Sequence, residues 1–249
     1  MSKMTKILIA IGALAVIAFF AVPPIVSAIR DDDSLEAKLP PASSTTATDR
    51  TNPTSSSPSP SSDGSDPTTP NDTTADGTWR AEPGDGAAFF VGYEIEETLR
   101  GVDTTATGTT GEYEGSLSVR NDIVDSLTLT VDMTTLRSDE TFRDDSIRRG
   151  GLETETFPEA TFVTTEPTTL AAVPAVGETV TAAVTGELTL HGVTRPITIE
   201  VDARWNGDTI DVTGEIPIVL ADYDISPPQR SVVSVRDTGK VVFVVQFAR

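Results

Sequence analysis

Residues 186–201, GELTLHGVTRPITIEV, constrain the fold of this chain more than any other stretch. Apolar residues alternate with polar ones on both arms, with Leu188 and Leu190 on the first arm and Ile197 and Ile199 on the second. A period of two places one face of a strand in a core and the other in water. The sequence therefore predicts a long antiparallel hairpin whose turn is formed by the six residues HGVTRP.

The predicted turn contains His191, the only histidine of the chain. Gly192 follows it and adopts positive φ readily, while Pro196 supplies a fixed φ without an N–H donor. A histidine beside such a glycine belongs more often to a turn than to a catalytic site. We therefore predict a structural role for His191.

Strand-like patterns continue on both sides of the hairpin. They predict a folded part that begins at Trp79 and contains eight strands, at residues 89–95, 105–119, 123–136, 160–166, the two arms of the hairpin, 209–220 and 241–247. Residues 141–149 lose the period of two and predict one or two helical turns, and residues 167–176 predict a loop. Eight strands with short connections are typical of an up-and-down barrel or a sandwich, and the pattern alone favours neither.

Two ordered motifs carry a resemblance to a known family. The hairpin GELTLHGVTRPITIEV is similar to the signature hairpin of the YceI-like family. Upstream, Arg143-Asp144, Leu152 and the run FPEATF at 157–162 resemble the family's Arg-Asp pair, short helix and strand entry, and GYEI at 92–95 also resembles members. The resemblance covers residues 79–249. One position departs from it, since many members have a histidine where this chain has Ser146.

The resemblance implies a lipocalin-like barrel whose cavity holds an isoprenoid or another amphiphilic lipid. The expected fold class is then all-β: an eight-stranded antiparallel barrel with a short helical insertion, preceded by one N-terminal transmembrane helix and a disordered linker. An apolar interior suits a hydrocarbon chain because each buried CH₂ contributes about 0.8 kcal/mol. The candidate ligand-binding residues are those predicted to face inward: Leu127, Leu129, Met133, Phe162, Ala182, Leu188, Leu190, Ile199, Ala203 and Phe243.

Arg143 and Asp144 stand next to each other before the predicted helical turns. One interpretation is a local ion pair at the start of a helix. The other places them at the barrel mouth, where Arg143 holds the insertion over the opening or meets the head group of a ligand.

Charge and composition narrow the classes of function. The net charge is −20, which argues against a nucleic-acid partner because such binding depends on Lys and Arg. The chain has no cysteine and a single histidine, so disulfides, thiolate catalysis and a zinc site of Cys and His are excluded. No phosphate loop or nucleophile elbow is present. We expect no metal, no cofactor and no catalytic residue.

The N-terminal residues predict export. Lys3 and Lys6 precede an apolar run at 7–29, which is long enough to cross a hydrocarbon core of about 30 Å, and residues 31–33 are all Asp. The positive-inside rule then leaves the N-terminus in the cytoplasm and the rest of the chain outside. Residues 1–30 are an uncleaved membrane anchor or a signal peptide cut after Ala28, in which case the protein is secreted.

Residues 31–78 are mostly Ser, Thr, Pro, Asp and Ala. Such a stretch cannot bury enough apolar surface to offset its ordering entropy, so a disordered linker is predicted. The domain organisation that follows is an anchor or signal peptide at 1–30, a linker at 31–78 and a barrel domain at 79–249.

The sequence thus predicts an exported, membrane-tethered protein that sequesters an isoprenoid or other amphiphilic lipid and performs no covalent chemistry. Two alternatives remain open: a hydrolase or isomerase that uses carboxylates at the barrel mouth, and a cell-surface structural module without a ligand. The expected partners are the lipid and, through residues 1–30, the cell membrane. A homodimer is also left open.

Overall fold

The computed structural model describes residues 34–41, 74–227, 229–230 and 232–249. The predicted anchor or signal peptide and most of the predicted linker lie outside the described residues. No helix within the described residues is long and apolar enough to cross a membrane.

The described residues form one sheet of thirteen strands in which neighbouring strands are antiparallel. The strands are β1 (Gly77–Glu82), β2 (Phe90–Leu99), β3 (Val102–Thr110), β4 (Tyr113–Arg120), β5 (Ile123–Asp132), β6 (Arg137–Ser138), β7 (Glu159–Thr164), β8 (Thr168–Thr169), β9 (Thr179–Leu190), β10 (Val193–Trp205), β11 (Thr209–Val219), β12 (Gln229–Arg230) and β13 (Val233–Ala248). The helical elements are a 3₁₀ helix (Met133–Thr135), the α-helix α1 (Thr141–Ser146), a π-helical turn (Ile147–Gly151) and a second 3₁₀ helix (Leu220–Tyr223).

The sheet closes on itself as an eight-stranded barrel, which confirms the barrel part of the predicted fold. The strands follow the order β1-β4-β5-β7-β9-β10-β11-β13, and β13 then pairs with β1. β2 pairs with β13 beyond the end of β1, and β3 pairs with β2, so these two strands extend the barrel wall. Closure leaves the eight-stranded ring without an unpaired edge.

The central hairpin is longer and its turn tighter than predicted. β9 and β10 pair from Leu190 opposite Val193 outward, so the turn consists of His191 and Gly192 alone. Both have positive φ, 51° and 74°, as a type I′ turn requires. Residues 193–196, predicted to belong to the turn, therefore belong to β10. Pro196 is tolerated there because the pairing of β10 with β11 begins only at Val201.

The first strands of the barrel are broken, which the sequence does not predict. Trp79, expected only to open the folded part, lies in β1, and the predicted strand 105–119 is divided between β3 and β4. The backbones of Gly84 and Gly111 meet at this level, where the Gly84 N–H donates to the Gly111 carbonyl oxygen at 2.8 Å. A Cβ on Gly111 would lie 2.2 Å from the Gly84 oxygen, so the approach requires glycine.

Two other strand boundaries differ from the prediction. β13 begins at Val233, well before the predicted strand at 241–247, because a bulge between Val235 and Gly239 accommodates the polar run RDTG. The predicted strand 123–136 ends at Asp132, and the predicted loop 167–176 contains the short strand β8.

One end of the barrel is closed by aromatic side chains. Trp79 and Phe247 are both fully buried, and the Trp79 indole N–H donates to the Ala75 carbonyl oxygen at 2.9 Å. The Arg249 guanidinium lies 4.1 Å from the centre of the Trp79 ring, in a cation–π contact. The connections between β5 and β7 and between β9 and β10 lie at the opposite end, which is the barrel mouth.

Residues 34–41, which the sequence assigns to the linker, lie along the outer wall of the barrel. Leu35 and Ala37 pack with Phe89 against an apolar cluster formed by Phe90, Val242 and Val244. The Leu35 N–H donates to the carboxylate of Glu94 at 3.0 Å. We call residues 34–41 the wall segment.

The wall segment also meets a buried ion pair. Arg204 and Asp211 are 8% and 3% exposed although they face outward, and their side chains are 3.0 Å apart. The Arg204 guanidinium also donates to the Pro40 carbonyl oxygen. The wall segment therefore supplies both apolar cover and a hydrogen-bond acceptor to the barrel.

Candidate functional site

The interior cluster contains all ten residues predicted to bind a ligand. Its members come from strands around the whole barrel, among them β5, β7, β9, β10 and β13. Five of the ten are buried: Phe162, Leu188, Leu190, Ile199 and Phe243. The other five remain partly exposed while packing against the cluster: Leu127, Leu129, Met133, Ala182 and Ala203.

Two aromatic rings of this cluster lie against glycines of adjacent strands. A Cβ on Gly186 would lie 2.6 Å from Cζ of Phe162, and a Cβ on Gly214 would lie 2.8 Å from Cζ of Phe243. The Phe162 ring thus fills the space that the absent side chain of Gly186 leaves. Each ring lies close to the wall of the barrel because the glycine beside it has no side chain.

Tyr93 repeats this arrangement at the mouth. It lies opposite Gly108 in the pairing of β2 with β3, and a Cβ on Gly108 would lie 2.5 Å from Cε1 of the Tyr93 ring. Burial raises the pKa of the Tyr93 hydroxyl above its ordinary value, with smaller opposing and reinforcing effects from nearby charges. The hydroxyl therefore stays protonated and remains a hydrogen-bond donor at neutral pH.

Arg143 joins the helical insertion to the barrel wall. It lies on α1, and its Nη2 is 3.1 Å from Oε1 of Glu97, which is on β2 and only 8% exposed. The same guanidinium also pairs with Asp139. These contacts correspond to the predicted role in which Arg143 holds the insertion over the mouth. Contact with a ligand head group stays a prediction.

Asp144, the second predicted mouth residue, organises the start of the insertion. Its Oδ1 accepts hydrogen bonds from the backbone N–H of Ser138 at 2.8 Å and from the Ser138 hydroxyl at 2.7 Å. The adjacent Arg143 and Asp144 therefore pair with other residues rather than with each other. Arg143 makes a local ion pair with Asp139 at the start of the helix and a long-range one with Glu97, while Asp144 accepts from Ser138.

His191 ties the hairpin turn to two neighbouring elements. Its Nδ1 is 3.0 Å from the Tyr223 carbonyl oxygen, which can only accept, so Nδ1 carries a proton. Its Nε2 is 3.2 Å from the carboxylate of Glu153, and its ring lies 4.4 Å from that of Phe157. His191 thus has the structural position that the sequence predicts, and it holds the end of the insertion.

A cleft opens between the insertion and the barrel wall. It is partly open to solvent and has room for about one water-sized group, so it is far smaller than the roughly 300–1,000 Å³ of typical small-molecule sites. This space suits one small polar group and not a hydrocarbon chain. Its lining residues are Tyr93, Met133, Thr134, Leu136, Arg137, Asp144, Ile147, Arg148 and Thr154.

Two hydroxyls that line the cleft were missed by the sequence reasoning. Those of Tyr93 and Thr154 are buried, and neither pairs with any group in the described part of the chain. Tyr93 lies in the GYEI motif, but nothing in that motif indicates an unpaired hydroxyl. Thr154 carries no sequence signal at all. As for metals, the described residues contain no group of three His, Cys, Asp or Glu that could hold an ion.

Curated relatives match part of the chain. It is 31% identical over 127 residues to protein YceI of Escherichia coli O6:H1, covering 47% of this chain and 62% of the relative. It is 36% identical over 122 residues to a UPF0312 protein of Vibrio parahaemolyticus, covering 45% of this chain and 61% of the relative. The matched region thus spans about three fifths of the length of these relatives.

A solved structure shares the fold. A polyisoprenoid-binding domain from Saccharophagus degradans, implicated in plant cell wall breakdown, superposes with a TM-score of 0.52 at 20% sequence identity and covers 68% of this chain and 97% of that domain. At this identity the likeness concerns the fold alone. The model of the YceI-like domain family matches residues 79–247, which is more than half of the chain. The chain therefore belongs to the YceI-like family.

Proposed function

We propose that the barrel binds an isoprenoid or another amphiphilic lipid, with the hydrocarbon chain in the interior and the head group at the mouth. The observation that carries this proposal is the single apolar cluster inside the barrel of a YceI-like domain, to which all ten predicted lining residues belong. Burial of each CH₂ of a chain there would contribute about 0.8 kcal/mol.

The position of the interior rings supports an interior that can accept a chain. The rings of Phe162 and Phe243 lie over glycines and so project less toward the barrel axis than they would beside a larger residue. Leu127 and Leu129 on β5 remain partly exposed. At the opposite end Trp79 and Phe247 are fully buried, which favours entry of a lipid through the mouth.

The polar groups at the mouth support binding rather than catalysis. Glu97 is paired with Arg143, and Asp144 accepts two hydrogen bonds from Ser138. Carboxylates engaged in this way are poorly placed to act as the general acid or base that a hydrolase or isomerase requires. The lipid is sequestered by burial, and no bond is made or broken.

We extend the proposal to location. Lys3 and Lys6 before the apolar run at 7–29 favour export, with the barrel outside the cytoplasmic membrane and residues 1–30 as its anchor. Protease added to intact cells is then expected to release the folded barrel. Survival of the full-length protein, while an external control protein is digested, would contradict this location.

Ala182 and Ala183 provide a matched test of lipid binding. They are neighbours on β9, where Ala182 packs against the interior cluster and Ala183 is exposed on the outer face. Ala182→Phe places a ring in the space of the lipid chain, so retained lipid should fall several-fold while Ala183→Phe retains the wild-type amount.

The unfolding midpoint of the lipid-free protein separates this function from a packed structural module. A hollow barrel accommodates the ring of Ala182→Phe with a change below about 1 kcal/mol, whereas overpacking costs about 1–3 kcal/mol. A large loss of stability in Ala182→Phe, together with a wild-type protein that never carries lipid, would favour the structural module.

A further inference from the structure

The cleft at the mouth contains two hydrogen-bonding groups that the fold does not use. Thr154 is only 2% exposed and the Tyr93 hydroxyl is also buried, and among the described residues neither hydroxyl has a partner. An unsatisfied buried polar group costs about 1–3 kcal/mol. Both groups line the same cleft, where a bound group would lie beside them.

The guanidinium groups around the cleft are already engaged. Arg143 pairs with Glu97 and Asp139. Arg148 lies 3.4 Å from Asp145. A bound anion would therefore have to share these guanidinium groups with carboxylates that already partly neutralise them.

The third guanidinium, that of Arg137, is engaged by the backbone. It donates to the carbonyl oxygens of Thr134 and Leu136, at 3.1 and 2.7 Å. The net charge of −20 opposes an anionic ligand further, since a field of this sign repels anions. Both the local contacts and the overall charge thus disfavour a phosphate or carboxylate in this cleft.

We propose that the cleft takes an uncharged oxygen group, a hydroxyl or a carbonyl, which accepts hydrogen bonds from Tyr93 and Thr154. This inference rests on the proposed function, because the oxygen group is the head of the bound amphiphile. The polar groups that need a partner are neutral donors deep in the cleft, and burying a charged head group beside them costs more than burying a neutral one. The barrel therefore selects lipid alcohols or ketones over phosphorylated lipids.

Binding of two probes to the full-length protein tests this selection. The probes are a C20 isoprenoid alcohol and the diphosphate of the same alcohol, and the measured quantity is the dissociation constant of each. We expect the alcohol to bind at least about tenfold more tightly. In the double variant Tyr93→Phe/Thr154→Val, affinity for the alcohol should fall about tenfold, while affinity for the diphosphate stays unchanged.

Stability provides the second readout. Because the two hydroxyls have no partner among the described residues, their removal in Tyr93→Phe and Thr154→Val should leave the unfolding midpoint unchanged or raise it. A drop in the midpoint of either variant would assign the hydroxyls to the fold and overturn the inference.

The binding outcomes separate the two proposals. If the diphosphate binds more tightly than the alcohol, or if the double variant binds the alcohol as the wild type does, this inference fails and the lipid-binding function stands. If neither probe binds the wild type, the proposed function fails together with the inference.

Discussion

Arg143 and Glu97 join the helical insertion to the barrel wall: Nη2 of the guanidinium lies 3.1 Å from Oε1 of the carboxylate, and the side chains are 20% and 10% exposed. Because water screens this pair little, removing one partner leaves a charge that is costly to bury. This contact is one of those that hold the insertion, and it gives the first prediction.

Arg143→Met should lower the free energy of unfolding by about 3 kcal/mol, because it leaves Glu97 unpaired. Adding Glu97→Gln should recover much of the loss. Arg120→Met is the matched control, since Arg120 pairs with Asp125 at 68% and 27% exposure and such surface pairs contribute about 0–1 kcal/mol. Equal losses for Arg143→Met and Arg120→Met in denaturant titrations would contradict the role assigned to Arg143.

Gly214→Ala should push the Phe243 ring into the barrel interior, because the added Cβ would lie 2.8 Å from Cζ of that ring. We expect retained lipid to fall several-fold. Combining Gly214→Ala with Phe243→Leu should restore it. Gly150→Ala is the control, since a Cβ there meets nothing within 4 Å. The account would be wrong if Gly150→Ala lowered the retained lipid as much as Gly214→Ala.

Leu35→Gln should destabilise the barrel by about 1–2 kcal/mol, because Leu35 covers the outer cluster that contains Phe90 and Val244. Glu36→Gln is the control, because it introduces glutamine at the neighbouring exposed position. It should change the free energy of unfolding by less than about 0.5 kcal/mol. Chemical denaturation of the two variants measures the difference. Indistinguishable unfolding curves would show that the wall segment contributes nothing to the stability of the barrel.

Stability should also depend on pH through Tyr113, because burial raises the pKa of its hydroxyl to about 12. Below pH 10 the hydroxyl is protonated in both states and has no effect. Above pH 10 the unfolded chain ionises first, so the free energy of unfolding falls as pH rises from about 10 to 12. Tyr113→Phe should make this fall shallower. An identical pH profile for the variant, measured as unfolding midpoints, would refute the assignment.

The strands could be predicted because their information is local, whereas their closure into a barrel was implied by the family resemblance. The alternation of Leu188 and Leu190 with polar neighbours sets which face of β9 is buried, and a shift of one residue would expose all of them. The wall segment carries a similar signal, since Leu35, Ala37 and Leu39 alternate with Glu36 and Lys38. The composition of the surrounding stretch nevertheless predicts disorder, because Ser, Thr, Pro and Asp dominate it.

The candidate site could be predicted only in part, because its contacts join distant residues. Arg143 and Glu97 are separated by 46 positions, and neither has a property that points to the other. The unpaired hydroxyls of Tyr93 and Thr154 depend on how the insertion packs, which no local pattern encodes. The contact between the Phe162 ring and Gly186 likewise depends on the pairing of β7 with β9, which the local sequence does not specify.

The most direct test of lipid binding is native mass spectrometry of the full-length protein after purification, in which detergent adducts are recognised by their mass. The account predicts one isoprenoid or other amphiphilic lipid per barrel in the wild type and in Ala183→Phe, and a strongly reduced amount in Ala182→Phe. A wild-type protein that carries no lipid, and takes up none when an isoprenoid alcohol is supplied, would contradict it.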